Sequence, residues 1–498
     1  MFSPSLEEVK EIAENKEYKR IPISYELFSD IATPIEVLRI LKCISKHAYM
    51  LESVEDSQKW GRYTFLGFNP LLEFTCQNGI VKIRGDADFE GLTDDEITIE
   101  TDNPSEIIKD LISKNKSPKL NYLPPFTGGF VGYFAYDYIK YSEPSLNLDA
   151  ENQDQFKDID LMLFDKVIAF DNFRQKIILI TNMKTDDVER NYERACDDLM
   201  EMADLIKHGK KIEIEPLKLK SDFKPAFSRE RFCNMVDKAK SYIYEGDIFQ
   251  VVLSNRIEAD IEGSLFDTYR VLRTTNPSPY MFYFSSNDIE IAGASPETLV
   301  KLTDNQLYTF PLAGTRPRGK TEEEDLMLEE DLLSDEKELA EHNMLVDLGR
   351  NDIGRIAEIG SVHVDKYLSI ERFSHVMHIG STVSGQLRSD LHPLSAIDSI
   401  LPAGTLSGAP KIRACEIINE LEDNKRGIYG GAIGYVDLSG NIDTCISIRI
   451  AFARNNKVFI RSGAGIVADS VPDKEFEECL NKAAAVINAL KIADGGLE

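Results

Sequence analysis

Apolar positions along the chain follow two patterns. Runs of five or six apolar residues bounded by turn formers predict strands, and apolar positions recurring every three or four residues predict helices. Ser5 followed by Glu8 is a capping box that opens a helix. Ile35 to Ile44 is amphipathic, and Tyr63-Thr64-Phe65-Leu66-Gly67-Phe68 has a strand composition. Asn78-Gly79, between Phe74 and Ile80-Val81-Lys82-Ile83, predicts a hairpin. Residues 165–170 and 176–180 form another pair of strands. Val188, Tyr192, Cys196, Leu199, Ala203 and Ile206 recur at helical spacing, and Gly209 closes that helix. Residues 209–225 are Lys-rich, carry Pro216 and Pro225, and mark a boundary between two sequence regions.

Beyond the boundary, the pattern predicts strands at 248–258, 280–284, 289–293, 298–302, 307–311, 372–384, 430–438, 443–453 and 457–462. It predicts helices at 229–244, 264–274, 323–331, 335–349, 394–400, 410–421 and 473–491. Strands in runs, with helices segregated between them, favour α+β over a doubly wound sheet. Gly128-Gly129-Phe130-Val131-Gly132-Tyr133 echoes Gly430-Gly431-Ala432-Ile433-Gly434-Tyr435. Either both regions use the same glycine-bearing strand or six positions agree by chance. Neither copy has the glycine spacing of a dinucleotide fingerprint.

Composition narrows the function. The 498 residues hold 57 Lys+Arg and 85 Asp+Glu, a net charge of −28. That argues against a nucleic-acid coat and against docking on anionic membrane. An anionic substrate would need cations gathered locally, or a metal held by some of the surplus acids. The segment from Met1 to Glu8 lacks the basic and apolar regions of a secretory signal. No stretch approaches the ~18 apolar residues of a membrane span. The seven cysteines are scattered and odd in number, with no Cys-x-x-Cys. They read as buried thiols of a cytoplasmic protein.

Four segments concentrate chemistry. Pro311 to Gly319 is a strand running into a glycine-broken loop, where Gly314 would let backbone N–H groups approach a ligand; an ordinary strand end has the same look. Ser334 opens a helix on which Glu338, Glu341, Leu345 and Leu348 share a face, so two carboxylates lie at the edge of burial or on a solvated surface. Leu401 to Lys411 is a glycine-rich turn into a helix with Pro410 at its first position. It is an anion site or a plain helix start. Gly463 to Pro472 leads into a helix on which Glu475, Glu478 and Lys482 share a face. Carboxylates from two helices suit hard Mg²⁺, although spacing alone cannot bring residues 341 and 478 together. His375 and His378 lie three apart in a predicted strand and so face opposite sides.

These segments, in this order, carry a resemblance. With Glu338–Asp352, Ser374–His378, Tyr429–Tyr435 and Asp443–Arg449, the chain resembles the chorismate-utilising enzymes, and among them the large components of anthranilate synthase. The resemblance spans roughly residues 225–490 and is looser in the first region, where it rests on Met50–Ser53, Arg62–Gly67 and Thr127–Tyr133. It implies large antiparallel sheets packed together, helices on the outer faces, and intertwined N- and C-terminal regions. It also implies a regulatory region over 1–215 and a chorismate-binding catalytic domain over 222–492.

The family's roles then map onto this chain. Glu341 and Glu478 match Mg²⁺ ligands, with Glu338 and Glu475 beside them. Gly314, Thr315, Tyr429, Arg449, Gly463, Ala464 and Gly465 match chorismate contacts, and Lys482 matches a lysine that grips a substrate carboxylate. Glu297 matches the acid for the departing C4 hydroxyl, His378 the base for the C2 proton, and Thr405 lines the same site. Ala313 replaces the nucleophilic lysine of aminodeoxychorismate synthases, and Gln250 stands where isochorismate and salicylate synthases place a lysine base. Met50-Leu51-Glu52-Ser53 matches a tryptophan-binding signature, whose second half falls on Asn276 to Met281, with Pro279, Tyr280 and Met281 at its core.

The resemblance therefore implies Mg²⁺-dependent conversion of chorismate and ammonia to anthranilate and pyruvate, inhibited by tryptophan. Ammonia would come from a separate glutamine amidotransferase subunit. An aminodeoxychorismate synthase with an atypical Ala313 and a non-catalytic tryptophan-sensing subunit are the rival readings. Retention of Glu297, Glu341, His378 and Glu478 speaks against the second.

Overall fold

A computed structural model of the chain describes residues 2–53, 61–85, 96–372 and 376–497. Among these, the strands form two large antiparallel sheets, one of 14 strands and one of 12, accompanied by 12 α-helices. The sequence dictates the layering. In strand Lys166–Asp171, Ile168 and Phe170 point to one side, Val167 and Ala169 to the other, and all are buried. A strand apolar on both faces must lie between two layers. Its inner side meets the second sheet in a core that joins Tyr49, Phe282 and Phe452 to Tyr133, Met162 and Ile433. Its outer side packs on helices through Val9, Val37, Leu199, Tyr269 and Val486. The second sheet is covered likewise, by Ile108, Val346, Ile353 and Ile397. The order is helices, sheet, sheet, helices, as expected for the α+β reading.

Both sheets draw strands from both sequence regions. Ala48–Glu52 pairs with Tyr280–Ser285, placing Glu52 opposite Met281. Gly129–Phe134 pairs with Ala432–Asp437, placing Gly132 opposite Gly434. The sequence echo is thus two copies of one kind of strand, lying side by side. A Cβ on Gly132 would strike the carbonyl oxygen of Asp160, and one on Gly434 that of Asp443. Glycine is what lets the neighbouring backbones approach there.

Local signals are realised at several places. The Ser5–Glu8 capping box is formed, and the helix Val188–His208 ends at Gly209. Asn78 (φ 50°) and Gly79 (φ 79°) make the hairpin turn between Gln77 and its partner Ile80. Other expectations are corrected. The strand predicted over 443–453 is two strands, Ile442–Ile446 and Ile450–Arg454, in different sheets. Strand His363–Arg372, largely exposed and polar, lies beside Val376–Gln386 and gave no apolar signal. Residues 373–375 of the predicted strand 372–384, Ser374 and His375 among them, lie outside the described residues. Asp335, not Ser334, caps helix Glu336–Gly354, because its carboxylate accepts from the amides of Lys337 and Glu338. Pro410 is the N-cap of helix Lys411–Glu422 rather than its first residue. Among the described residues no helix is long and apolar enough to cross a membrane. All seven cysteines are free thiols.

Candidate active site

The site forms where the chain passes from one sheet to the other. Residues 296–297 link strand Glu290–Ser295 of the larger sheet to Thr298–Thr303 of the smaller one. Residues 447–449 make the reverse passage, from Ile442–Ile446 to Ile450–Arg454. The links are tied together: the Ile446 amide donates to the Glu297 carbonyl at 2.9 Å, and the Ser295 hydroxyl donates to the Ile446 carbonyl at 2.7 Å. Arg449 takes a left-handed conformation (φ 52°) to turn the corner. On these links the chain leaves one sheet before it joins the other, and there Glu297 and Arg449 face a cavity.

That cavity holds about 560 Å³. The passages contribute Glu297 and Arg449, and strand Gln250–Glu262 contributes Gln250. Gly314 and Thr315 come from an irregularity in the pairing between Ala313 and Arg316. Gly314 has φ +67°, and a Cβ there would lie 3.2 Å from the Glu338 carboxylate. Thr405, Tyr429, Gly463, Gly465 and Lys482 complete the wall. The Lys482 ammonium donates to the Gly463 carbonyl at 3.1 Å and pairs with Glu478 at 2.7 Å. A Cβ on Gly465 would lie 2.5 Å from the Gln250 amide nitrogen. The Ala464 methyl is buried with Leu253, Ile466 and Phe476 on the other face of the strand, so its contact with a ligand would be through the backbone.

Electrostatics divide the acids by role. Burial raises Glu297 to about 7, although the Thr405 hydroxyl, 3.0 Å away, and the charges of Arg449 and Lys482 favour its ionised form. Desolvation wins, so the carboxyl is poised to hold a proton near neutrality. Burial also raises Glu341 and Glu475; the charges of Glu338 and Glu478 raise Glu341 further, and that of Glu478 raises Glu475. Glu338, Glu341, Glu475 and Glu478 all line the cavity. Hard oxygen donors from two helices, repelling one another across a cavity, fit Mg²⁺ by type and by charge. Among the described residues no three acidic, histidine or cysteine side chains are already gathered to hold a metal. Glu478 instead pairs with Lys482, and Glu338 lies 3.7 Å from Arg316.

A larger cavity of about 990 Å³ adjoins the first and shares Thr315, Arg449, Glu478 and Lys482 with it. His378 lines this outer cavity, not the inner one. Its Nδ1 lies 2.7 Å from the Gly314 carbonyl oxygen and 3.1 Å from the Thr315 hydroxyl. A carbonyl can only accept, so Nδ1 carries the proton and the lone pair sits on Nε2. Burial lowers the His378 pKa, which keeps the ring neutral.

A third cavity, of about 300 Å³, takes Glu52, Ser53, Pro279, Tyr280 and Met281. Tyr63, Phe65 and Tyr435 line it with Arg62, Lys301 and Asp443. The Glu52 carboxylate is held by the Tyr269 hydroxyl at 2.5 Å and by Arg273 at 2.5 and 2.9 Å.

Sequence reasoning gave no role to Lys337 and Arg461, which also line the inner cavity. Arg461 is buried with Arg426 around Glu422, each 2.6 Å from it. A charged residue inside the apolar run Val458-Phe459-Ile460-Arg461 was the available signal. Arg62, Lys301 and Asp443 were likewise missed in the third cavity.

Known proteins resemble this chain over most of its length. The sequence model described as "chorismate binding enzyme" matches residues 47–488. Anthranilate synthase component 1 from Acetivibrio thermocellus is 45% identical over 505 residues, covering 99% of each chain. The protein of that name from Aquifex aeolicus is 45% identical over 502 residues, again covering 99% of each. The crystal structure of anthranilate synthase component I from Streptococcus pneumoniae superposes with a TM-score of 0.73 at 37% identity, over 92% of this chain and 98% of that one. The menaquinone-specific isochorismate synthase of Escherichia coli shares the fold, with a TM-score of 0.68 at 18% identity over 97% and 98% of the two chains. The chain belongs to the chorismate binding enzyme family, in the group of the anthranilate synthase component 1 proteins.

Proposed function

We propose that this chain is the large component of anthranilate synthase, joining chorismate and ammonia to give anthranilate, pyruvate and water. The observation that carries the reading is Glu297, a carboxyl held near neutral pKa in the same cavity as Arg449 and Lys482. A dianionic substrate suits those cations. Loss of a hydroxyl from C4 needs an acid still protonated at working pH.

Arg449 and Lys482 bind the substrate carboxylates and fix its ring between Tyr429 and the glycines. Gln250 is 5% exposed, and its Oε1 has no hydrogen-bond partner among the described residues. That oxygen can accept an N–H from ammonia, leaving the nitrogen lone pair to attack C2. As the C2–N bond forms and the ring double bonds shift, the C4–O bond breaks, and Glu297 gives its proton to the departing oxygen, which leaves as water. Nε2 of His378 then takes the C2 proton while the enolpyruvyl C–O bond breaks. The ring becomes aromatic, the new ammonium gives its extra proton back to the Glu297 carboxylate, and the proton taken by His378 goes to the released methylene to complete pyruvate. Mg²⁺ held by Glu341 and Glu478, with Glu338 and Glu475 beside them, would supply Lewis-acid polarisation of the ring carboxylate. Ala313, a methyl side chain, leaves no amine for the covalent route of aminodeoxychorismate synthases.

The third cavity is assigned to tryptophan as feedback inhibitor. Its aromatic walls suit an indole, and its cations and carboxylates suit a zwitterion. Ammonia would arrive from a glutamine amidotransferase subunit in the cytoplasm, where seven free thiols persist. The test is direct. The pure chain, chorismate, Mg²⁺ and ammonium salt should yield fluorescent anthranilate; a 4-amino product, or no turnover, sinks the assignment.

A further inference from the structure

The third cavity and the active site have no lining residue in common, yet two stretches of chain serve both. Thr275, Asn276, Pro277 and Ser278 wall the outer active-site cavity, and the next three residues, Pro279, Tyr280 and Met281, wall the third cavity. The other stretch is the sheet-to-sheet passage that carries Glu297. Its next residue, Thr298, is buried with its hydroxyl 2.9 Å from the Tyr280 hydroxyl. Tyr280 also donates to the Asp443 carboxylate at 2.8 Å. A phenol has one proton, and the carboxylate takes it, so the Thr298 hydroxyl must donate to the Tyr280 oxygen. The proton order is fixed: Thr298 to Tyr280 to Asp443. Burial and the Asp443 charge push the Tyr280 phenol far above its ordinary pKa, so it stays a donor at any working pH.

We propose that Tyr280 and Thr298 are positioning residues for Glu297, and that this pair transmits occupancy of the third cavity to the acid. The identity of the occupant rests on the tryptophan reading above; the positioning role does not. Glu297 has little freedom of its own. Its carbonyl accepts from Ile446, its amide faces the Ser295 hydroxyl at 3.4 Å, and Thr298 is held in the ladder opposite Cys445. The pairing shifts register between Thr298 and Val300, so the passage that carries Glu297 leads straight into an irregular stretch of strand. A ligand that pins Tyr280 from the third cavity sets the Thr298 hydroxyl, and through it the height of the Glu297 carboxyl against Thr405. Any part of the effect that reaches chorismate affinity must be mirrored, by the same factor, in the affinity of the third cavity for its ligand.

Thr298→Val removes the hydroxyl at nearly constant volume, and Thr298→Ser restores it. Calorimetry reads tryptophan binding with and without chorismate, and steady-state rates read kcat, KM and the pH profile. The valine variant should bind tryptophan within about threefold of the parent yet need about tenfold more for half-inhibition, a loss within the usual range of coupling between sites. Its kcat should fall with KM for chorismate little changed, its alkaline limb should move, and serine should restore both. Inhibition that still tracks binding in the valine variant, with kcat and limb coincident with the parent, overturns the proposal. If the parent binds no tryptophan, the regulatory reading fails by itself. The limb and the kcat of the valine and serine variants then decide the positioning role.

Discussion

The Thr405 hydroxyl donates to the Glu297 carboxylate at 3.0 Å, joining the loop before helix Lys411–Glu422 to the passage between the sheets. A donor to a carboxylate favours its ionised form. Thr405→Val should therefore raise the Glu297 pKa, move the alkaline limb of kcat to higher pH, and lower kcat about tenfold by loosening the acid. Thr405→Ser keeps the donor and should keep the limb. A limb that stays in place in the valine variant counts against the contact.

Glu297 itself sets a pH window. The acid works protonated, and its pKa is about 7, so turnover corrected for free ammonia should fall as pH rises through about 7. The base, His378, lies below its ordinary range, so the acid limb should fall below that of a free histidine. Glu297→Gln should lose about 10²–10⁴ in kcat, the usual weight of a general acid. Stability follows pH in the same direction. A carboxyl raised in the folded state contributes stability fully present below its unfolded pKa and lost as pH rises through about 7. The glutamine variant should thus gain relative stability above that pH, by at most about 3 kcal/mol.

Gly465→Ala places a methyl 2.5 Å from the Gln250 amide nitrogen. The amide is the far end of a flexible side chain that borders the cavity, so it can swing aside, and the expected cost in denaturant unfolding is below about 1 kcal/mol. The rate with ammonia should fall at least about tenfold, since the displaced oxygen no longer faces C2. An alanine variant with parental kcat/KM for ammonia would remove Gln250 from the mechanism.

Glu478→Gln takes one charge from the four facing carboxylates. Half-maximal activity should need at least about tenfold more Mg²⁺, and titration calorimetry of Mg²⁺ alone should show the same loss. Tryptophan binding should be unaffected. Parental Mg²⁺ dependence would take Glu478 out of the metal site.

Asp352 and Lys411 form a buried pair with N–O distances of 2.8 Å, and the ammonium also donates to the Ile400 carbonyl at 2.9 Å. The pair closes the loop bearing Thr405 onto the helix bearing Glu341. Asp352→Asn leaves the ammonium buried without its countercharge and should cost about 3–5 kcal/mol in urea unfolding. The double replacement Asp352→Leu with Lys411→Met should recover much of that loss. Equal destabilisation by the single and double variants would mean the charges are not coupled.

Much of this architecture is legible in the amino-acid sequence. Helices with one apolar face, such as Arg229–Glu245 and Pro472–Ala493, declared themselves by spacing, as did the hairpin at Asn78-Gly79. Periodicity reports which faces are buried, not which sheet buries them. That is why 443–453 read as one strand, although the chain changes sheets at Ser447–Arg449. It is also why the exposed strand His363–Arg372 gave no signal. At the site, spacing placed Glu338 with Glu341 and Glu475 with Glu478, each pair on its own helix. Their convergence on one cavity is a property of the fold. The side chain of Ala464 points away from that cavity for the same alternation that aims Gly463 and Gly465 into it.

The pairing of Gly132 with Gly434 bears on how the molecule is made. The two residues lie about 300 positions apart, and at about 5–20 residues per second a ribosome takes roughly 15–60 s to cover that distance. Throughout that interval the strand Gly129–Phe134 is complete but lacks one neighbour, and its unpaired N–H and C=O groups form an open edge. Ala48–Glu52 waits in the same way for Tyr280–Ser285. Neither edge can be closed by local sequence. The nascent chain is therefore exposed to wrong partners for longer than a protein of sequential hairpins, and its yield in the cell should depend on chaperones and on the rate of synthesis.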